Sequence, residues 1–587
     1  MNMIDSEAPI ARYLTPDLVQ LILPYLSSRD LRNLSQTNRY FHKLLDFKAS
    51  NILWHELFHK AFSLSMCDEE PLTTSLNQGF LGCSEAIMRT RFADLDWAEL
   101  YQMRAQRFEF YSWGCIKHAR LGFTPNSLDS IPEGSLNSGG IRLQFGFNRP
   151  IKVPWPESDS PGTQNSIVHV SAGGFSFNIL TKSGKLYTTG TTYSGGHRGP
   201  GPANGQSDYS LFAEEVRDAE QSFRRNLNPI AVSGNLMPIN LTGTMPRGFQ
   251  SPSRNLETPH ADIYAQLSEL EKANELLPGN DHVRRLFPAD AINLYQKEFS
   301  GGVLDLNRLN SVKLISVSSG RSHILALSDE NKLYSWDGPE VEHGVRIEFH
   351  ELDGSAHRPI MKIGSGWNYN CVLVYGVGLL VWSSREPTRK GDCSAYANYK
   401  IIPGTENIGG DERIVDFACC TDGCVLYINA KGEVLYLYAN EHVTAFKPPV
   451  EGKMVKIVGK YETLVIFTEL GCYSLKIHAG HVIENSIVAL DTDDIEGRFV
   501  SIATGDYHTI GLTSQGKIYT WGLESELCGC LGLGSGQDIV ERRQLGRFES
   551  SRSIRVTKPA PVEMDCNYTC VAVSAGGWQS GALIMRH

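Results

Sequence analysis

Residues Phe499 to Gly522 read FVSIATGDYHTIGLTSQGKIYTWG. FVSIAT and HTIGLT alternate apolar with small or polar residues, and IYTWG follows as a third run of the same kind. Short period-two runs between Gly-containing turns predict antiparallel strands. The phrase recurs as VHVSAGGFSFNILTKSGKLYTTG from Val168 and LISVSSGRSHILALSDENKLYSWD from Leu314. Weaker copies begin at Ile360, Ile414 and Met454, the last two being degenerate. Turn signals such as Ser183-Gly184, Lys431-Gly432 and Gln515-Gly516 join the second and third strands. A spacing of roughly 40 to 55 residues between such units is the mark of a propeller.

A seventh copy, CVAVSAGGWQSGALIM from Cys570, ends after two strands. The strand it lacks occurs far upstream, as Phe110-Tyr111-Ser112-Trp113-Gly114. If the two ends complete one blade, seven blades close a ring and no sheet edge stays open. Residues 108–587 are therefore expected to form a seven-bladed all-β propeller whose last blade is closed by residues 110–114. An insertion over residues 191–311 interrupts it. Its start, Ser194 to Asn204, is rich in Gly and Pro, and helical patterns follow at Leu211 to Arg225 and Ala261 to Leu277. The copies resemble the repeats of the regulator-of-chromosome-condensation family, most closely the first, second and sixth.

The N-terminal part reads differently. Thr15 is placed to cap a helix that Pro16 opens, and Asp17 suits its positive end. Leu18, Leu21, Ile22 and Leu26 then share a face. Ser28 with Asp30 starts a second short helix carrying Leu31 and Leu34; Asn38 starts a third with Phe41, Leu44 and Leu45. Leu53, Trp54, Leu57 and Phe58 form another apolar stripe. So short a segment cannot bury this much apolar surface within itself, so it either lies on the rest of the chain or docks on another protein.

The stretch LTPDLVQLILPYLSSRDLRNLSQTNRYFHKLL with the later LWHELF resembles an F-box, a small all-α module that binds the Skp-type adaptor of cullin–RING ubiquitin ligases. Tyr40-Phe41 departs from the family, which usually has a Trp nearby. The resemblance implies an F-box at residues 10–60. Adaptor docking would then fall to Leu14, Pro16, Leu18, Leu21, Ile22, Leu26, Leu31, Leu34 and Leu44, with Trp54 and Leu57. A helical linker over residues 61–107 follows, its clearest pattern lying at 86–107. An F-box ahead of these repeats resembles the fungal SCF-associated factors. That implies a non-catalytic substrate receptor, bound through the adaptor to cullin and RING subunits and holding a protein target for ubiquitination and proteasomal degradation. The repeats alone would also suit a guanine-nucleotide exchange factor for a small GTPase, or a plain scaffold.

Composition bounds these readings. A chain of 587 residues exceeds one core. Hydrophobic and charged contents of 41% and 20% are those of folded proteins. A net charge of -10 argues against a general nucleic-acid binder. No apolar run approaches the roughly 20 residues of a membrane span, and Met1 to Ile10 lack the pattern of a signal peptide. Cytoplasm, nucleus or both are expected, since Arg542-Arg543 is too small a basic cluster to be a nuclear address.

Chemistry is conspicuously thin. Gly511 to Lys517 spells most of a phosphate-binding loop, but Ile518 follows where Ser or Thr is needed, and the segment joins two strands. His323 and His508 share a repeat position after Gly320 and Gly505 and read as structural, with no recurring nucleophile beside them. Trp113, Trp336 and Trp521 read as packing between strands. The thirteen cysteines lack zinc-module spacing, so neither a metal nor another cofactor is expected.

Overall fold

Each copy of the phrase folds as an antiparallel meander. In this computed structural model the described residues are 18–19, 26, 28–45, 53–55, 57–58, 91, 95–139, 143–155, 166–190, 282–288, 312–339, 341, 343–350, 352, 358–384, 389–390, 394–421 and 423–587. The sixth copy gives the strands Phe499–Thr504, His508–Thr513 and Ile518–Glu524, paired in that order. The second turn closes on Gly516 at φ +70°, a left-handed conformation that glycine adopts without strain; Gly184 and Gly432 do the same in the first and fourth copies.

The first strand of every copy is the innermost. These strands are Ile167–Ala172, Leu314–Ser319, Ile360–Ser365, Ile414–Cys419, Met454–Lys460, Phe499–Thr504 and Tyr568–Gly576. Each packs on the next in chain order, and the last packs on the first. All carry a register shift at the same place, ending at His169, Ser316, Lys362, Asp416, Lys456, Ser501 and Ala572. A bulge bends a strand and re-aims its side chains. All of these bulge residues except Ala572 line a central cavity.

The two ends of the β region meet in one sheet. Phe108–Cys115 runs antiparallel to Gln579–Arg586, from Phe108 opposite Met585 to Gly114 opposite Gln579. The C-terminal hairpin Tyr568–Gly576 and Gln579–Arg586 thus continues into residues from near the start of the β region.

One segment differs from the sequence reading. Residues 282–288 fall inside the expected insertion, yet Val283–Pro288 pairs with Leu186–Thr189 as the fourth strand of the first copy. It also runs parallel to His343–Glu348, joining the sheets of the first two copies into one of ten strands. An isolated VRRLFP carries too short a pattern to be recognised locally, and only its distant partner makes it a strand. The helical patterns at 211–225 and 261–277 lie outside the described residues.

The N-terminal helices are α1 (Ser28–Thr37) and α2 (Arg39–Leu44); α3 (Trp97–Arg107) leads into the first strand. Asn38 caps α2 through its Oδ1, which accepts from Phe41 N at 2.9 Å. Asp96 and Glu99 form a reciprocal capping box at the start of α3. Leu31, Phe41, Leu45, Leu57 and Phe58 share one continuous core with Leu100, Tyr101, Phe110 and Phe177, so the helices pack on the β region directly.

Candidate partner-binding surfaces

Two surfaces lie at opposite ends of the strands. Phe108 follows α3 at one end of its strand, and Gly114 stands at the other end, about 20 Å away at the usual strand rise. The helical end is fixed by aromatic contacts. Trp54 packs on Tyr101 at 5.3 Å between ring centroids, and Phe58 on Trp97 at 5.4 Å. Lys182, in the turn between the second and third strands of the first copy, donates to the Tyr101 hydroxyl. Arg104 is fully buried with its guanidinium 4.6 Å from the Phe108 ring centre, and burial lowers its pKa to about 9.

The residues read from the sequence as adaptor-docking take several positions here. Leu18 is 46% exposed. Leu26, Leu34, Leu44 and Trp54 are half-buried against the shared core, while Leu31 and Leu57 are buried within it. Leu14, Pro16, Leu21 and Ile22 lie outside the described residues.

At the other end the turns between first and second strands converge into a hub. Gly174 N donates to Arg321 O, Arg321 N to Trp367 O, Trp367 N to Cys420 O, and Thr421 N to Tyr461 O, at 2.8–3.3 Å. Asp506 N donates to Gly577 O at 2.9 Å. In five of these turns the packing leaves room only for glycine. A Cβ on Gly320 or Gly505 would fall 2.0 or 2.1 Å from the ring of His323 or His508. Those histidines link neighbouring copies. His323 Nε2 is 2.9 Å from Asn370 Oδ1, and His508 Nε2 is 2.9 Å from Ser580 Oγ. Burial pushes the His508 imidazole down to about 4.

Arg120 and the one or two residues after the turn position of each copy carry the hub's chemistry. The Arg120 guanidinium lies 4.9 Å from the Phe175 ring centre, and Arg321 lies 5.7 Å from Phe175 and 4.6 Å from Trp367. Trp367 packs on Tyr461 at 4.8 Å, and Tyr461 meets Tyr507 edge-on at 6.2 Å. A continuous band of guanidinium and aromatic planes results, with Tyr507 47% exposed. Asp506 sits beside it; burial pushes its carboxyl up to about 6, and Arg120 and Arg321 hold that rise back. Cation–π contacts of this kind contribute about 0.5–2 kcal/mol each and present flat faces suited to peptide side chains. No periodic pattern marks these residues, because their types differ from copy to copy. Aligning the copies on the turn glycine is the signal that would have found them.

Among the described residues no group of three or more His, Cys, Asp or Glu is placed to hold a metal ion. Nine of the ten described cysteines are buried. No helix of the described residues is long and apolar enough to cross a membrane.

Residues 499–530 match the model of the regulator of chromosome condensation (RCC1) repeat. The chain is 41% identical to SCF-associated factor 1 of Saccharomyces cerevisiae over 98% of both chains. It is 28% identical to F-box protein pof9 of Schizosaccharomyces pombe, over 46% of this chain and 58% of that one. Among solved structures it is similar to Prp20p of Saccharomyces cerevisiae, at 12% identity and a TM-score of 0.46, covering 83% of this chain and 94% of that one.

Proposed function

The chain belongs to the family of SCF-associated factors, and from that premise we propose that it is a substrate receptor of an SCF-type ubiquitin ligase. The observation that carries this reading is identity of 41% sustained over nearly the whole of both chains. The match to an RCC1-like G exchanging factor-like protein of Homo sapiens covers 42% of this chain, so guanine-nucleotide exchange has the weaker support.

In this reading residues 10–60 are an F-box that binds a Skp-type adaptor and, through it, cullin and RING subunits. Residues 61–107 are a linker, and residues 108–587 are a seven-bladed propeller that holds the protein target. Leu18, exposed at the surface, makes the adaptor contact together with Leu14, Pro16, Leu21 and Ile22 of the same segment. Leu26, Leu34, Leu44 and Trp54 border it, and Leu31 and Leu57 hold the docking surface in shape from within the core. The receptor performs no bond chemistry itself; holding target and ligase together makes ubiquitin transfer effectively intramolecular. The hub is the target face. It stands at the far end of the strands from α3, and so stays open when the helical end is occupied. The protein works in the cytoplasm, the nucleus or both.

Co-purification from cells with the proteasome blocked tests this. Recovery of adaptor, cullin and a ubiquitinated protein is expected, with the last lost in a Trp367→Ala/Tyr507→Ala variant that keeps the adaptor. Recovery of a small GTPase without adaptor would overturn it.

A further inference from the structure

The innermost strands enclose a central channel of about 830 Å³. Its hub end is blind: only about 10 Å³ of free space remains among the converging turns, and Lys460 lies between the two spaces. The open end lies beside Leu470 and Arg498. Leu470 belongs to a turn between second and third strands, like the Lys182 turn that meets Tyr101, so the mouth faces the side of α3.

The walls carry an uncompensated charge. Four cationic side chains line the channel, Lys362, Lys456, Lys460 and Arg498, against two carboxylates, Asp416 and Glu469. Asp416 is fully engaged. It pairs with Lys362 through Oδ1, and its Oδ2 accepts from Ile457 N at 2.9 Å. Glu469 is exposed at the mouth. Among the described residues Lys456, Lys460 and Arg498 have no ion-pair partner. The acceptors of Lys460 are two neutral carbonyls, Ala172 O at 2.6 Å and Ser319 O at 2.8 Å. Burial lowers its pKa to about 8, and burial together with Lys460 itself holds His169 down to about 4, so that the imidazole stays neutral.

A desolvated charge such as Lys460 is normally paired, and low-dielectric walls focus the field of unpaired charges into the cavity between them. We propose that the channel binds a small polyanion, a molecule carrying two or more phosphate or carboxylate groups, held by Lys456 and Arg498 toward the mouth and by Lys460 at the floor. Lys456 and Lys460 stand four residues apart on one strand, roughly 13 Å at the usual rise. Two separated oxyanion groups match that spacing better than a single phosphate. The volume lies within the usual range for small-molecule sites, about 300–1,000 Å³.

Calorimetric titration of the full-length chain tests the proposal, with fructose 1,6-bisphosphate and citrate as probes and inorganic phosphate at matched ionic strength as the control. The two probes distinguish an organic phosphate from a polycarboxylate. Saturable binding of at least one probe is expected, weakened about tenfold or more in a Lys456→Ala/Arg498→Ala variant and lost in Lys460→Met. Arg498 is exposed and Lys456 half-buried, so the double variant keeps the core and decides the matter even if Lys460→Met fails to fold. No saturable binding of either probe, undiminished binding by the double variant, or equal binding of inorganic phosphate would each overturn it.

Discussion

Lys460 Nζ donates to Ala172 O at 2.6 Å, a hydrogen bond between the fifth copy and the first that crosses the channel. The equivalent position is Gly173, Gly320, Gly366, Gly505 or Gly576 in five copies and Cys420 in another. In the second and sixth copies a histidine ring fills the space beside that glycine. The fifth copy has Thr463 where those have His, and its strand ends in a lysine that reaches Ser319 O as well.

Replacing Lys460 by Gly, the residue most copies have, removes both bonds. Hydrogen bonds from a charged donor contribute about 1.5–3 kcal/mol each, and desolvation of the buried ammonium offsets much of that. A net loss of about 1 kcal/mol is expected, read as a lower urea midpoint at unchanged slope. An unchanged midpoint would mean that the cross-channel bonds carry no stability.

His508 makes stability depend on pH in a defined direction. Its folded pKa is lowered to about 4, so between about pH 6.5 and 4 the unfolded chain binds a proton that the folded chain refuses. Stability therefore falls as pH falls through that window, by up to about 3 kcal/mol for this residue. His169 adds a slope of the same sign, whereas Asp506, raised to about 6, opposes it. Comparing the wild type with His508→Asn by urea unfolding at pH 7, 5.5 and 4 isolates the term, and the variant should lose less stability on acidification. Parallel curves would count against it.

Ring closure is open to a single substitution. A Cβ on Gly581 would lie 2.8 Å from the rings of Phe110 and Phe177. Gly581→Val should therefore force apart the sheet in which the two ends of the β region meet, at a loss of about 1–3 kcal/mol. Thermal melting of the full-length variant checks this; a wild-type melting point would show that the ring tolerates the wedge.

The strand at 283–288 separates two deletions that look equivalent in sequence. Removing residues 195–278 behind a Gly/Ser linker leaves Val283–Pro288 to cover Leu186–Thr189. Removing residues 195–308 uncovers that edge, and exposed edges promote aggregation. The shorter deletion should melt within a few degrees of wild type by differential scanning calorimetry, and the longer one should melt clearly lower and aggregate on heating. Equal melting would deny the strand its role.

Charged residues at Leu18 and Ile22 should abolish adaptor co-precipitation while the β region keeps its melting transition. Leu31→Asp, by contrast, places a charge in the shared core and should lower that transition too, since an unpaired buried charge costs several kcal/mol. If Leu18→Glu/Ile22→Glu still retains the adaptor, the docking segment lies elsewhere.

The strands were legible because alternation and turn glycines are local properties that sequence records directly. Val283–Pro288 was not, since a strand inside a long insertion is defined only by the edge it returns to. The apolar stripe from Leu18 to Leu57 announces a face to be covered but is silent on what covers it: Leu31 and Leu57 are buried in the chain's own core while Leu18 faces solvent. The hub band carries no shared residue type, because Phe175, Arg321, Trp367 and Tyr461 agree only in their place after the turn and in being able to stack. Lys460 reads in the sequence as decay of a repeat, and in the fold as the residue that spans the channel.

The pairing of Phe108–Cys115 with Gln579–Arg586 also sets a clock. About 460 residues separate the two strands, so at about 5–20 residues per second the ribosome needs roughly 20–90 s to deliver the second after the first. Throughout that interval the N-terminal helices are already outside, while the strand beside them waits with an open edge. Without Gln579–Arg586 that edge stays unpaired, and an exposed strand edge is a template for aggregation. Arrival of Gln579–Arg586 is thus the step that turns an open row of sheets into a closed body.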